Sequence, residues 1–342
     1  MKKHIYVYSP SGAVRDKAAF KRGITRLKSQ GHDVEIDPDA LTSFQRFAGD
    51  DATRLAAIHR AAASGADVAL ISRGGYGLTR ILPGIQYKKV AKAIEKGMQF
   101  VGTSDFTAFQ SAVLAKTGAI TWAGPALCEG FGVGAAPDTL ATGQPDAAAP
   151  DEIMQACFDD MLLGQGEGSG WRQTIERATS AKASLTTSSL ASDSIAASAI
   201  NKRAASTFVI KDARLWGGNL AVLTSLLGTP YFPDIKGGVL FLEDVAEHPY
   251  RIERMLTQLL HSGVLARQKA IVLGQFTDYQ LIAHDRGFNL QAVLAWLRSK
   301  VKAPVVTNLP YGHVQTKVLL PVGAKVDLSV DGRDALMLWG HV

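Results

Sequence analysis

Residues 99–107 read Gln99-Phe100-Val101-Gly102-Thr103-Ser104-Asp105-Phe106-Thr107, and the fold of the chain turns on how that run is parsed. An apolar run stops at Gly102, Ser104 follows, and Phe106, Phe109, Val113 and Leu114 then recur at helical spacing. The pattern predicts strand, tight turn, helix. A serine on such a turn stands clear of the sheet edge. The helix behind it offers unpaired N–H groups and a positive dipole end to a developing anion. Those are the needs of a nucleophile elbow. The same letters also fit Ser104 or Asp105 simply capping the helix, and on this segment alone both readings stand.

Outward from this run, the amino-terminal half alternates strand and helix. Ile5 to Tyr8 reads as a buried strand, Ser9-Pro10-Ser11-Gly12 as its turn, and Phe20, Ile24 and Leu27 as one helical face. His32 to Ile36 and Asp67 to Ile71 make two more strands around a helix that Asp50 or Asp51 can cap. This alternation predicts an α/β domain with a parallel sheet. The third strand ends in Ser72-Arg73-Gly74-Gly75-Tyr76-Gly77, so this loop and the one bearing Ser104 both leave the carboxyl edge, where doubly wound sheets collect ligands. Glycines there allow converging N–H groups to approach an anion, or simply a tight turn before a helix.

Beyond a helix expected over Asp151 to Leu163, serine and alanine dominate residues 180–206, which predicts a linker or surface loop. From Thr207 the periodicity returns. Val239 to Leu242 runs as a strand into Glu243-Asp244, and Pro249 opens a helix with Ile252, Met255, Leu256 and Leu259 on one side. The tail, with Val318 to Leu320, Lys325 to Val330 and Ala335 to Trp339, predicts short strands. The expected division is 1–163, a linker over 164–206, and a β-rich α/β domain over 207–342.

The 342 residues exceed one ordinary core, and a 46% hydrophobic content suffices for two. A formal charge of +6 arises from 37 basic and 31 acidic residues without a long like-charge run, which argues against nucleic acid as a partner. The excess suits a small acidic substrate and is equally an ordinary solvated surface. Cys128 and Cys157 lack paired spacing, so neither a disulfide framework nor a thiolate zinc site is expected. No metal motif and no cofactor fingerprint is evident. With no secretory h-region and no long apolar run, no membrane is expected as a partner and a cytoplasmic protein is.

If Ser104 is a nucleophile, it needs a base and a carboxylate to orient that base. Of eight histidines, His313 alone lies in a glycine-bearing loop directly after a strand, in Asn308-Leu309-Pro310-Tyr311-Gly312-His313. It also fits a surface histidine. Glu243 is the best carboxylate because it ends a run of four apolar residues, with Asp244 and Glu247 as competitors.

Taken together, Arg73-Gly74-Gly75-Tyr76-Gly77, Gly102 to Thr107, Gly124-Pro125, Trp216-Gly217-Gly218-Asn219-Leu220, Leu242-Glu243-Asp244 with Pro249-Tyr250-Arg251, and Gly312-His313 resemble the LD-carboxypeptidase (muramoyltetrapeptide carboxypeptidase) family of serine peptidases. The segments follow the family's order along the whole chain. The resemblance implies a doubly wound, flavodoxin-like domain carrying the nucleophile Ser104, and a β-rich domain carrying Glu243 and the general base His313. It also implies a cytoplasmic homodimer without a cofactor, acting on a murein tetrapeptide or muropeptide. Backbone N–H groups of Gly75 and Asp105 are the expected oxyanion hole. Arg73, Gly74, Tyr76 and Asn219 are the expected substrate contacts, with Arg73 suited to a carboxylate fork or to bracing the glycine loop. The Ala/Ser-rich stretch is longer than the family pattern leads one to expect. Two rivals stand beside this reading. One is a self-immunity peptidase cleaving peptidyl-nucleotides, with Trp171 or Trp216 as an adenine platform. The other is a non-catalytic nucleotide or phosphate binder using Ser9 to Gly12 and the glycines at 74–77.

Overall fold

The computed structural model describes residues 2–134, 149–174 and 207–342. Its first sheet takes β1 (His4–Tyr8), β2 (Asp33–Ile36), β3 (Val68–Ile71), β4 (Gln99–Gly102) and β5 (Thr121–Ala123), all parallel. Around them run α1 (Lys17–Ser29), α2 (Asp51–Ala63), α3 (Leu78–Ile81), α4 (Tyr87–Glu95) and α5 (Phe106–Thr117), with α6 (Glu152–Leu163) following. Local chemistry sets these boundaries. Asp16 and Asp50 accept the N–H groups of Ala19 and Thr53 as N-caps of α1 and α2, and Gly118, at φ 72°, ends α5 in the left-handed conformation.

The second sheet is mixed. Its parallel part comprises β7 (Phe208–Asn219), β8 (Val239–Val245), β9 (Ala270–Thr277) and β10 (Val305–Val306), alternating with α7 (Leu220–Ser225), α8 (Pro249–His261) and α9 (Leu290–Lys300). Its antiparallel part is β12 (Lys325–Asp331), β13 (Asp334–Leu338) and β6 (Gly168–Arg172). The spatial order is β10-β9-β8-β7-β12-β13-β6. Thus the β-rich character expected of the carboxyl-terminal half belongs to the antiparallel part, while the parallel part holding Glu243 is built like the first sheet.

Three elements fall elsewhere than the sequence pattern suggested. Val318 to Leu320 was expected as a carboxyl-terminal strand ended by Pro321-Val322-Gly323, but Leu320–Val322 instead form β11, which pairs antiparallel with β5 and completes the first sheet in the order β11-β5-β4-β3-β1-β2. Residues 168–172, expected within a linker, pair with β13 through Trp171 opposite Ala335. The remainder of that expected linker, 175–206, lies outside the described residues. Phe208 to Ile210 and Trp216 to Asn219, which read as separate runs, belong to one strand that bends near Asp212, where φ is 51°. A single apolar cluster joins Leu114 and Ala123 of the first sheet's layer to Val318, Leu320, Phe241 and Leu273. The two halves therefore share a core, which holds their carboxyl edges in register. Among the described residues, no helix is long and apolar enough to cross a membrane.

Candidate active site

Ser104 sits between β4 and α5 at φ 62°, one of few non-glycine residues in the left-handed region. For an L-residue that conformation costs roughly 1–2 kcal/mol, so the surroundings must enforce it. They do. Phe106, Phe109 and their neighbours on α5 are buried, and a Cβ on Gly102 would lie 2.6 Å from the Phe106 ring, so only glycine lets strand and helix close this tightly. Asp105 is 2% exposed and caps nothing. Its carboxylate instead accepts from Ser11 Oγ and from the Leu78 N–H at 2.9 Å, tying the first βα loop and the glycine loop to the elbow. Burial pushes its carboxyl above the usual range. A Cβ on Gly74 would stand 2.6 Å from Ser104 Cβ and 2.9 Å from Oγ. The two loops singled out in the sequence therefore meet at the hydroxyl.

Glu243, on the inner strand β8, is fully buried. Its Oε2 accepts from His313 Nδ1 at 2.8 Å and its Oε1 from Asn219 Nδ2 at 3.2 Å. Accepting at Nδ1–H fixes the imidazole tautomer and leaves Nε2 free to take a proton. Gly312, at φ 143°, makes this approach possible, since a Cβ there would lie 3.2 Å from Glu243 Oε2 and 3.0 Å from the Gln275 carbonyl. Burial disfavours the His313 imidazolium, but the Glu243 hydrogen bond and charge outweigh it and raise the pKa above the ordinary histidine value. Asp244 is pushed up to about 6 by burial and by the adjacent Glu243 charge.

Two contacts bring this pair to the elbow. The Tyr311 hydroxyl lies 3.4 Å from Thr103 Oγ1, and the Asn219 N–H donates to Thr107 Oγ1 at 3.0 Å. Ser104 lies between the two threonines in sequence, and Tyr311 and Asn219 are neighbours of His313 and Glu243. Ser104 Oγ itself makes no hydrogen bond among the described residues, and neither do the N–H groups of Gly75 and Asp105.

The arrangement has known counterparts. Residues 5–124 match the LD-carboxypeptidase N-terminal domain and residues 212–328 its C-terminal domain. The chain belongs to the LD-carboxypeptidase family. With that family it is a serine-type carboxypeptidase, a hydrolase. The crystal structure of a muramoyltetrapeptide carboxypeptidase from Oxalobacter formigenes is 34% identical and superposes with a TM-score of 0.78 over 98% of each chain. The murein tetrapeptide carboxypeptidase of Pseudomonas aeruginosa is 27% identical over 329 residues, 93% of this chain and 91% of its own. The microcin C7 self-immunity protein MccF of Escherichia coli is 26% identical over 262 residues, 76% of this chain and 70% of its own.

In this LD-carboxypeptidase the expected substrate contacts separate. Gly74 packs against Ser104, whereas Tyr76 is 48% exposed beside Phe47, with the Arg46 guanidinium over its ring. Asn219 is fully engaged: Nδ2 donates to Glu243 and Asp244, and Oδ1 accepts the Val222 N–H as the cap of α7. Its amide orients carboxylates rather than reaching outward. Arg73 braces, as one of its two readings held. It donates to the Ala13 carbonyl at 3.4 Å and pairs with Glu129 at 3.7 Å, on the wall of a cavity of about 320 Å³ also lined by Arg15, Asp16 and Arg22. Trp171 and Trp216 are 8% and 1% exposed, with their indole N–H groups given to the Thr307 carbonyl and to Gln268. Neither offers a ring face to a base.

Sequence reasoning missed Thr103, Thr107, Tyr311 and Lys317. The first three sat inside quoted motifs but carried no sign of cross-domain contact. Lys317, four residues past His313, reads as an ordinary loop lysine, yet it is 3% exposed. The apolar run Val318-Leu319-Leu320 directly after it was the available hint.

Proposed function

We propose that the protein hydrolyses the L,D peptide bond that releases terminal D-alanine from murein tetrapeptides, in a cytoplasmic, cell-wall-recycling role and as a homodimer. In this reading Ser104 is the nucleophile, His313 the general base and Glu243 the carboxylate that orients it. The observation that supports it most is the Glu243–His313 hydrogen bond of 2.8 Å, on segments that touch the threonines on either side of the left-handed Ser104.

His313 Nε2 takes the Ser104 proton as Oγ attacks the carbonyl carbon of the diaminopimelate residue. The oxyanion is held by the N–H groups of Gly75 and Asp105, whose freedom from other hydrogen bonds supports that role. His313 then protonates the departing D-alanine nitrogen, the C–N bond breaks, and an acyl-enzyme remains. Water, deprotonated by the same imidazole, attacks the ester and returns Ser104. Glu243 stabilises the imidazolium throughout, consistent with the raised His313 pKa.

The test is incubation of the purified protein with murein tetrapeptide and, separately, with a peptidyl-adenylate analogue, followed by mass spectrometry. Release of D-alanine from the tetrapeptide is expected. Nucleotide release without D-alanine would overturn the substrate assignment, and an unchanged rate in Ser104→Ala would overturn the nucleophile.

A further inference from the structure

We infer that Lys317 is the cation that receives the substrate's terminal carboxylate, and so makes the site one for a carboxypeptidase. The inference rests on the reading above, in which the leaving group is a free amino acid. Lys317 lies on the segment that runs from His313 back to β11, held there by the Val318 N–H on the Pro310 carbonyl at 2.8 Å and by Thr316 Oγ1 on Asp151. Its side chain is 3% exposed and has no hydrogen bond or ion pair among the described residues. Burial disfavours the ammonium and the charges of Glu129, Glu243 and Asp151 offset that, but no acceptor among the described residues takes its three N–H donors, which leaves them for an anion from outside.

The acids around Lys317 are already engaged. Its charge acts on Glu129, Glu243, Asp151 and His313. Glu243 holds His313 and Asn219, Glu129 pairs with Arg73, and Asp151 caps α6 at the Met154 N–H while accepting from Thr316. Arg73, the sequence-level candidate for this task, is turned into the glycine loop. Its Nη1 lies where it would collide with a Cβ on Gly12. The chemistry of the leaving group gives the direction. His313 must protonate the scissile nitrogen, and in a carboxyl-terminal residue a single carbon separates that nitrogen from the carboxylate. The anion therefore comes to rest near the imidazole, four residues along the same loop from Lys317 and within range of its charge.

The experiment compares wild type, Lys317→Met and Lys317→Arg on murein tetrapeptide and on the same peptide with an amidated carboxyl terminus. Wild type should prefer the acid by about ten- to a hundredfold in kcat/KM, the range of a charge-assisted hydrogen bond. In Lys317→Met the preference should vanish through a raised KM for the acid, with kcat and the amide rate kept, and Lys317→Arg should restore part of it. Lys317→Gln repeats the comparison if the methionine variant fails to fold. An unchanged preference, or equal losses on acid and amide, would overturn the assignment. Wild type that releases no D-alanine would overturn the functional reading and the subsite with it, whereas normal release with no effect of either variant sinks the subsite alone.

Discussion

The elbow and the carboxylate–imidazole pair reach one place by opposite routes. The elbow is built from consecutive strand, turn and helix, closed by Gly102 and the α5 core, and Asp105 ties it further to Leu78 and Ser11 of the same domain. The pair is assembled from residues 70 apart on β8 and on the loop after β10, and depends on Gly312, Gln275 and Tyr311 to hold the loop. Each part can thus form within its own half of the chain, and only the contacts of Thr103 with Tyr311 and of Thr107 with Asn219 join the two. The largest expected effect is on the local side: Ser104→Ala should lower kcat by about six orders of magnitude, as loss of a triad serine does elsewhere. Circular dichroism and melting temperature should be unchanged, because alanine keeps the same Cβ and the same strain.

The assembled side should break next. Glu243→Gln should lower kcat by about four orders of magnitude in steady-state assays. Its signature is in the pH profile. The base must be neutral, so activity rises with pH through the His313 pKa, which Glu243 holds above the ordinary histidine value against the effect of burial. In Glu243→Gln that acidic limb should move to lower pH. Stability gives the complementary sign. A raised histidine pKa contributes stability that is complete below the unfolded value and lost as pH rises through the folded one. Chemical denaturation of wild type should show this decline, and the variant should flatten it.

Gly74→Ala tests the junction. The residue is not at positive φ, so alanine is compatible with its backbone, but the new Cβ would crowd Ser104 Cβ and Oγ. Displacing the hydroxyl by a fraction of an ångström to an ångström should cost about a hundredfold in kcat/KM, and the forced shift of the Ser104 Cβ should also lower the melting temperature. A fully active Gly74→Ala would mean that the elbow yields more easily than its packing indicates.

The same contrast explains what was legible in the sequence. The elbow, the glycine loop and the helix stripes are short-range patterns, and each folds as its spacing says. Glu243 and His313 could be picked out as unusual, one ending an apolar strand and the other in a glycine loop, but no spacing rule says that they touch. The placement of β11 was hidden because Leu320-Pro321-Val322 is too short to declare its partner, and β6 because a Gly-Ser-Gly run has weak strand propensity and relies on β13. For Asn219 and Arg73 the residue type suggested a substrate contact, yet the direction of an amide or a guanidinium depends on which neighbours tertiary packing supplies. For both, those neighbours were residues of the protein itself.

The smallest effect isolates the strain. Ser104→Gly removes the hydroxyl as Ser104→Ala does, but it also removes the Cβ that makes φ 62° unfavourable. Both variants should be inactive, so activity cannot tell them apart. Stability can. Relief of the left-handed conformation favours glycine by about 1 kcal/mol, partly offset by the greater freedom of glycine in the unfolded chain. Denaturant titration should therefore find Ser104→Gly slightly more stable than Ser104→Ala. The reverse order would mean that the elbow is held without strain, and that the serine is presented by the sheet edge alone rather than by the grip of Asp105 and α5.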